Sequence, residues 1–315
     1  MSQTNCWTPV TGLYHWEKTR PNEVFLTQPR GSEVIDYTWA QAGDQVRRMA
    51  AHLASGGFPP GSRIAIMSKN CAHWIMAELA ILMAGHVSVP IYPSVNAETL
   101  RFILEHSETS LMFLGEMEDW NETGGGVPDR LPVVTFPGAP EFSPPRENVL
   151  PWDDLIAVTQ PMQGEVPPRK ADDLAIIIYT SGSTGQPKGV MIGFGAMAFA
   201  SETAAKLTEV APGDRVLSYL PLAHAYEHAG VFNLATVSRK AIGAASRADS
   251  SNNSVRVDGL AELPAVLIQA LERSPGACAA SVSALKSWPC PWPHRTSRRR
   301  STRGPAVLRR AFLRR

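Results

Sequence analysis

Leu174-Ala-Ile-Ile-Ile-Tyr-Thr-Ser-Gly-Ser-Thr-Gly-Gln-Pro-Lys-Gly189 is the stretch from which the fold is read. Its first five residues are apolar and rich in β-branched side chains, which suits a strand buried on both faces. A helical pattern begins at about Phe194, so the polar residues between form a loop at a strand end, where α/β folds place their ligands. Gly182, Gly185 and Gly189 let the backbone approach a ligand closely. Thr180, Ser181, Ser183 and Thr184 add hydroxyl donors, and Lys188 adds a positive charge. A polyphosphate fits such a loop. Each charge-assisted hydrogen bond to phosphate contributes roughly 1.5–3 kcal/mol, so several together hold a nucleotide against its hydration. The spacing is not that of a Walker A loop, in which four residues separate the first glycine from Gly-Lys-[Ser/Thr]. A solvated Ser/Gly turn is the alternative. It is disfavoured because hydroxyls, glycines, Pro187 and Lys188 stand directly behind a buried strand.

Outward from this loop a second pattern repeats. Arg63-Ile-Ala-Ile-Met67 reads as a strand, Asn70 as the cap of a helix through Ile75, Leu79 and Leu82 that stops at Gly85, and residues 87–92 again as a strand. Asn96 caps a further helix carrying Leu100, Ile103 and Leu104, and Leu111-Met-Phe-Leu114 closes the cycle. Strands and helices alternating through short connections predict an α/β fold of parallel βαβ layers with right-handed crossovers. Nearer the start, residues 24–26 and 33–37 read as short strands around a turn. A helix begins at Thr38, with Gln41 at capping-box spacing. Residues 121–170 are rich in proline, glycine and acids and read as an excursion and linker, strand-like only at 131–136. Beyond the loop come a helix through Met197, Phe199 and Leu207 and a strand at 215–220, ended by Pro221.

At 315 residues, 44% of them hydrophobic, the chain is long enough for one large domain or two ordinary ones. A net charge of +1 supplies no basic field for nucleic acid. Cys6, Cys71, Cys278 and Cys290 form no CxxC, so neither a zinc site nor a disulfide framework is indicated, and a reducing cytoplasm is the simplest home. Met1-Ser-Gln-Thr-Asn-Cys-Trp7 lacks the basic and then apolar pattern of a signal sequence. The most apolar stretch, 74–91, contains Glu78, Gly85 and His86 and reads as a helix followed by a strand rather than a membrane span. Peripheral membrane contact stays open.

Thr180-Ser-Gly-Ser-Thr-Gly-Gln-Pro-Lys-Gly189 resembles the signature loop of the AMP-forming acyl-CoA synthetases, within the adenylate-forming superfamily. Leu217-Ser-Tyr-Leu-Pro-Leu-Ala-His-Ala-Tyr-Glu-His228 resembles the next motif of that family in its long-chain fatty acid branch. Ser68-Lys-Asn-Cys-Ala-His-Trp74 and Ala84-Gly-His-Val-Ser-Val-Pro-Ile-Tyr-Pro93 extend the similarity, which covers most of residues 1–230. The resemblance implies an N-terminal adenylate-forming domain with ATP, a fatty acid, magnesium and coenzyme A as its reaction partners. It implies that Thr180, Ser181, Gly182, Ser183, Thr184, Gly185 and Lys188 hold phosphate, and that Lys188 and His224 are catalytic. His224 matches a position beside the bound adenylate and the mouth of the acyl pocket. Glu227 matches a family carboxylate and, with Thr184, is the candidate magnesium ligand. Tyr226 and His228 are read as structural.

Residues 231–315 do not continue the pattern. The adenine and magnesium motif, the ribose aspartate and the C-terminal catalytic lysine that the family supplies further on find no match, since Lys240 and Lys286 stand in other contexts. No acidic residue follows Glu272, and arginines crowd the end. The expectation is an irregular tail whose reading frame changed after about residue 230, with a natural truncation or a misplaced gene boundary as alternatives. Little or no thioester synthesis is therefore expected from these 315 residues alone. A non-catalytic nucleotide-binding fragment and an acyl-AMP ligase serving a carrier protein are the alternative functions.

Overall fold

The computed structural model describes residues 8–30, 32–167, 169–180, 186–207, 215–218, 220–228 and 241–244. Helix α1 (Pro9–Thr19) starts on a reciprocal capping box between Thr8 and Thr11, with proline in its first turn. The sequence reading missed it, because threonine stands where such a box ordinarily carries Glu or Gln. Strands β1 (Val24–Arg30) and β2 (Glu33–Thr38) pair antiparallel, and α2 (Trp39–Ser55) begins on the expected box of Thr38 and Gln41. The predicted cycle follows as β3 (Arg63–Met67), α3 (Ala72–Met83), β4 (Val87–Ile91), α4 (Ala97–His106) and β5 (Thr109–Leu114). Both β4 and β5 run parallel to β3.

The excursion is more than a linker. It passes through α5 (Trp120–Thr123), β6 (Val133–Thr135), β7 (Val149–Pro151) and α6 (Trp152–Val158), and both strands extend the same sheet in parallel. Trp152, fully buried, plugs the core between Phe113 and Phe136. The chain then forms β8 (Leu174–Thr180), β9 (Lys188–Gly193), α7 (Phe194–Leu207), β10 (Arg215–Ser218), α8 (Ala225–Glu227) and β11 (Ala241–Ala244).

Two sheets result, one ordered β7-β6-β5-β3-β4-β8-β9 and one ordered β10-β11-β1-β2. No strand was expected at Ala241–Ala244, yet β11 lies parallel between β10 and β1, with Ile242 in register with both Val216 and Leu26. Along the central strands alternate residues face opposite sides, as the two-residue period of a strand requires. Ile64, Ile66, Leu111 and Phe113 enter one core; Ala65, Met67, Met112 and Leu114 enter the other.

Helix α3 packs against β3 and β4 and against α1, α2 and β1, and every one of its residues from Ala72 to Met83 is buried. A helix covered all round must find partners for each polar group it carries. His73 sits among Tyr37, Phe136 and Trp152, and burial pulls its pKa down to about 4. The folded protein therefore takes up this proton far less readily than the unfolded chain, whose histidine titrates near 6.5. Stability is predicted to be undiminished above that value and to fall by about 3 kcal/mol in all as the pH drops from 6.5 to 4. Urea titrations across this window should show a shallower slope for His73→Phe; an unchanged slope would contradict the assignment. Among the described residues no helix is long and apolar enough to cross a membrane.

Candidate nucleotide and acyl site

The loop after β8 is a hairpin connection. The sequence suggested strand, loop and helix; the structure interposes β9, which returns antiparallel on β8 with Thr180 opposite Lys188 and Tyr179 opposite Gly189. This moves the start of α7 to the far end of β9, roughly 20 Å from the loop at strand spacing. The N-terminus of α7 is therefore not at the loop. Thr180 and Lys188 are both exposed where the two strands open into the loop. Ser181, Gly182, Ser183, Thr184 and Gly185 lie outside the described residues.

Gly189 also serves the packing of the hairpin. A methyl group there would stand 2.9 Å from Ile177 Cγ2 and 3.3 Å from Tyr179 Cζ, so its small size makes room for β8 side chains. Tyr179 is buried, and its hydroxyl meets His106 Nδ1 at 2.7 Å, fixing the strand just before the loop. Burial raises its pKa above the usual 10, so the hydroxyl stays protonated at neutral pH.

β4 and β8 are parallel neighbours, in register at Ser88 and Ile176. Their carboxyl ends therefore leave the same edge of the sheet, Thr180 ending one and Tyr92 following the other. His224 reaches this edge from the second motif. Its side chain is exposed, and its ring meets that of Tyr92 edge-on at 6.3 Å between centroids. Strand pairing and this ring contact thus bring two separate sequence motifs to one face.

Glu227 and His228 point the other way. Glu227 is 2% exposed and accepts a hydrogen bond from Ser218 Oγ at 2.8 Å. His228 is also buried, its Nε2 lying 3.1 Å from Glu78 Oε1, while Ser88 Oγ donates to the other oxygen of Glu78. The structural reading of His228 agrees with this placement. Magnesium does not fit Glu227 so buried and bonded. No cluster of three His, Cys, Asp or Glu side chains suited to a metal occurs among the described residues.

Asn70 was expected to cap α3, and it does not. Cys71 occupies that position without a side-chain cap, and the Ala72 amide donates to Gln28 Oε1 at 2.8 Å instead. The Asn70 side chain turns to the second motif. Its Nδ2 donates to Ser218 Oγ at 2.8 Å and to the Leu220 carbonyl at 2.6 Å, and its Oδ1 accepts from the Leu222 amide at 2.9 Å. An asparagine between strand and helix reads as a cap, so nothing local in the sequence announces partners about 150 residues away.

The chain matches the family model described as AMP-binding enzyme over residues 13–286. It is 30% identical over 228 residues to long chain acyl-CoA synthetase 2 of Arabidopsis thaliana, an alignment covering 67% of this chain and 34% of that protein. Long chain acyl-CoA synthetase 5 of the same plant is 33% identical over 220 residues, covering 65% and 33%. This chain thus spans about a third of the length of the curated relatives it matches. Among solved structures it resembles a fatty acyl-adenylate ligase from L. pneumophila, in complex with acyl adenylate and pyrophosphate. The TM-score is 0.57 at 21% identity, covering 76% of this chain and 40% of that one, which speaks for the fold. Because the family model takes in most of its 315 residues, hairpin and second motif included, the chain belongs to the AMP-binding enzyme family.

Proposed function

We propose that the chain is the phosphate-binding part of an AMP-forming long-chain fatty acyl-CoA ligase. The observation that carries this reading is the shared sheet edge, where the β8–β9 hairpin opens beside Tyr92 and His224. In the reaction so assigned, a fatty acid carboxylate attacks the α-phosphorus of ATP, the bond to pyrophosphate breaks, and acyl-AMP forms. The thiol of coenzyme A then attacks the acyl carbon and AMP leaves. The first step asks for charge neutralisation and in-line positioning more than for proton transfer. Lys188 supplies the positive charge, Thr180 and residues 181–185 supply donors, and His224 is assigned to the acyl phosphate by the likeness of its motif to the family's. Of the two candidate magnesium ligands, Thr184 keeps its assignment and Glu227 does not. The long-chain preference rests on the second motif and on what the relatives are called. A pocket that buries the chain would select length at about 0.8 kcal/mol per methylene.

These 315 residues alone are expected to bind ATP and to give little or no thioester, because the family's adenine, ribose and C-terminal lysine motifs find no match in them. Pyrophosphate exchange into ATP, measured with palmitate or acetate, tests this. Exchange that palmitate stimulates would overturn the non-catalytic part and assign acyl adenylation to the chain. Failure to bind ATP at all would overturn the nucleotide reading. Transfer of the acyl group to a carrier protein in place of coenzyme A would select the acyl-AMP ligase instead.

A further inference from the structure

His224 owes its place to groups outside its own motif. The segment that bears it, residues 220–228, is fastened to the sheet body at both ends. At the first end Asn70 spends three hydrogen bonds on Ser218, Leu220 and Leu222. At the second, Ser218 holds Glu227 and Glu78 holds His228, both inside the protein. Between them Leu222 and Ala223 are buried, the His224 amide donates to the Pro221 carbonyl at 2.8 Å, and the His228 amide returns to the His224 carbonyl at 2.9 Å. Only then does the exposed His224 ring come against Tyr92. A short segment tied this way leaves little backbone freedom at the residue in its middle.

We propose that Asn70 is a positioning residue for His224. Seated between β3 and α3, it sets the distance between the second motif and the carboxyl edge of the sheet, and Ser218 passes that constraint on to Glu227. The inference rests on the reading of His224 as the group beside the acyl phosphate, but the position itself is measurable without ligand. A purely structural role for Asn70 predicts lower stability with the His224 environment kept.

The test is a proton–carbon spectrum of the full chain labelled at histidine Cε1, with the His224 signal assigned by its loss in His224→Gln. In Asn70→Ala the His224 signal is expected to move beyond its linewidth toward that of a histidine in an unstructured peptide, while the His73 and His106 signals stay in place. Ser218→Ala, which keeps two of the three Asn70 bonds, is expected to move it part of the way, and serves if Asn70→Ala does not fold. A His224 signal unmoved in a folded variant overturns the proposal. Addition of a palmitoyl sulfamoyl adenosine to the unaltered chain tests the underlying reading separately. A His224 signal that ignores this acyl-adenylate mimic, yet moves in Asn70→Ala, would refute the site and leave the positioning standing.

Discussion

Replacing Lys188 with alanine is expected to weaken ATP binding by roughly ten- to a hundredfold. A charge-assisted hydrogen bond to phosphate contributes about 1.5–3 kcal/mol, and each 1.4 kcal/mol is a factor of about ten in affinity. The position makes the loss specific. Lys188 is exposed at the first residue of β9, directly opposite Thr180, and takes part in none of the ion pairs found among the described residues. Its removal should leave the thermal unfolding midpoint within a degree or two, since surface substitutions rarely cost more than about 0.5 kcal/mol. Lys188→Arg should restore part of the affinity by restoring charge without the same reach. Calorimetric titration of the three proteins with ATP decides the matter. Equal affinity for the wild type and Lys188→Ala would remove the lysine from the site.

The second large effect is expected at Glu78. Its carboxyl group is fully buried on the all-buried helix α3, where it meets His228 and accepts from Ser88. Glu78→Ala withdraws a partner from both and opens a cavity, and breaking a buried pair by deleting one member costs about 3–5 kcal/mol. Against a typical domain stability of about 5–15 kcal/mol, that is enough to lower the denaturation midpoint sharply. The double variant Glu78→Leu with His228→Leu should be milder than Glu78→Ala, because the buried imidazole is removed with its partner and only the Ser88 hydroxyl loses its acceptor. Urea unfolding of both variants checks this, and a Glu78→Ala cost under about 1 kcal/mol would show that the network does not hold α3 to the second motif.

These two residues also mark how far sequence reasoning reached. The regular part, from Arg63 to Leu114, was legible because period and stop signals agreed, although the Asn70 cap did not hold: the apolar alternation of β3 and β5 divides between two cores, and Asn96 caps α4 as read. Strand β8 was legible from its apolar, β-branched run. The return strand β9 was not, since Lys188-Gly-Val-Met-Ile-Gly193 places glycines at both ends and leaves Val190 and Met191 substantially exposed. Helix α1 hid behind an unusual box, and β11 gains its place from pairing with β1 and β10 rather than from its own propensity. Asn70 shows the most instructive failure. Its local chemistry suits a helix cap, and tertiary partners claim it instead. His224 and His228 stand four residues apart in one motif, and only the fold shows that one faces solvent beside Tyr92 and the other is sealed against Glu78.

The claim on which the rest depends is that the β8–β9 hairpin recognises phosphate. Equilibrium titration of the 315-residue chain with ATP, tripolyphosphate and adenosine tests it most directly. The account predicts that ATP and tripolyphosphate bind and compete with each other, with affinities that fall as salt is raised, while adenosine binds far more weakly. Adenosine binding as tightly as ATP, or ATP binding that tripolyphosphate cannot displace, would contradict it.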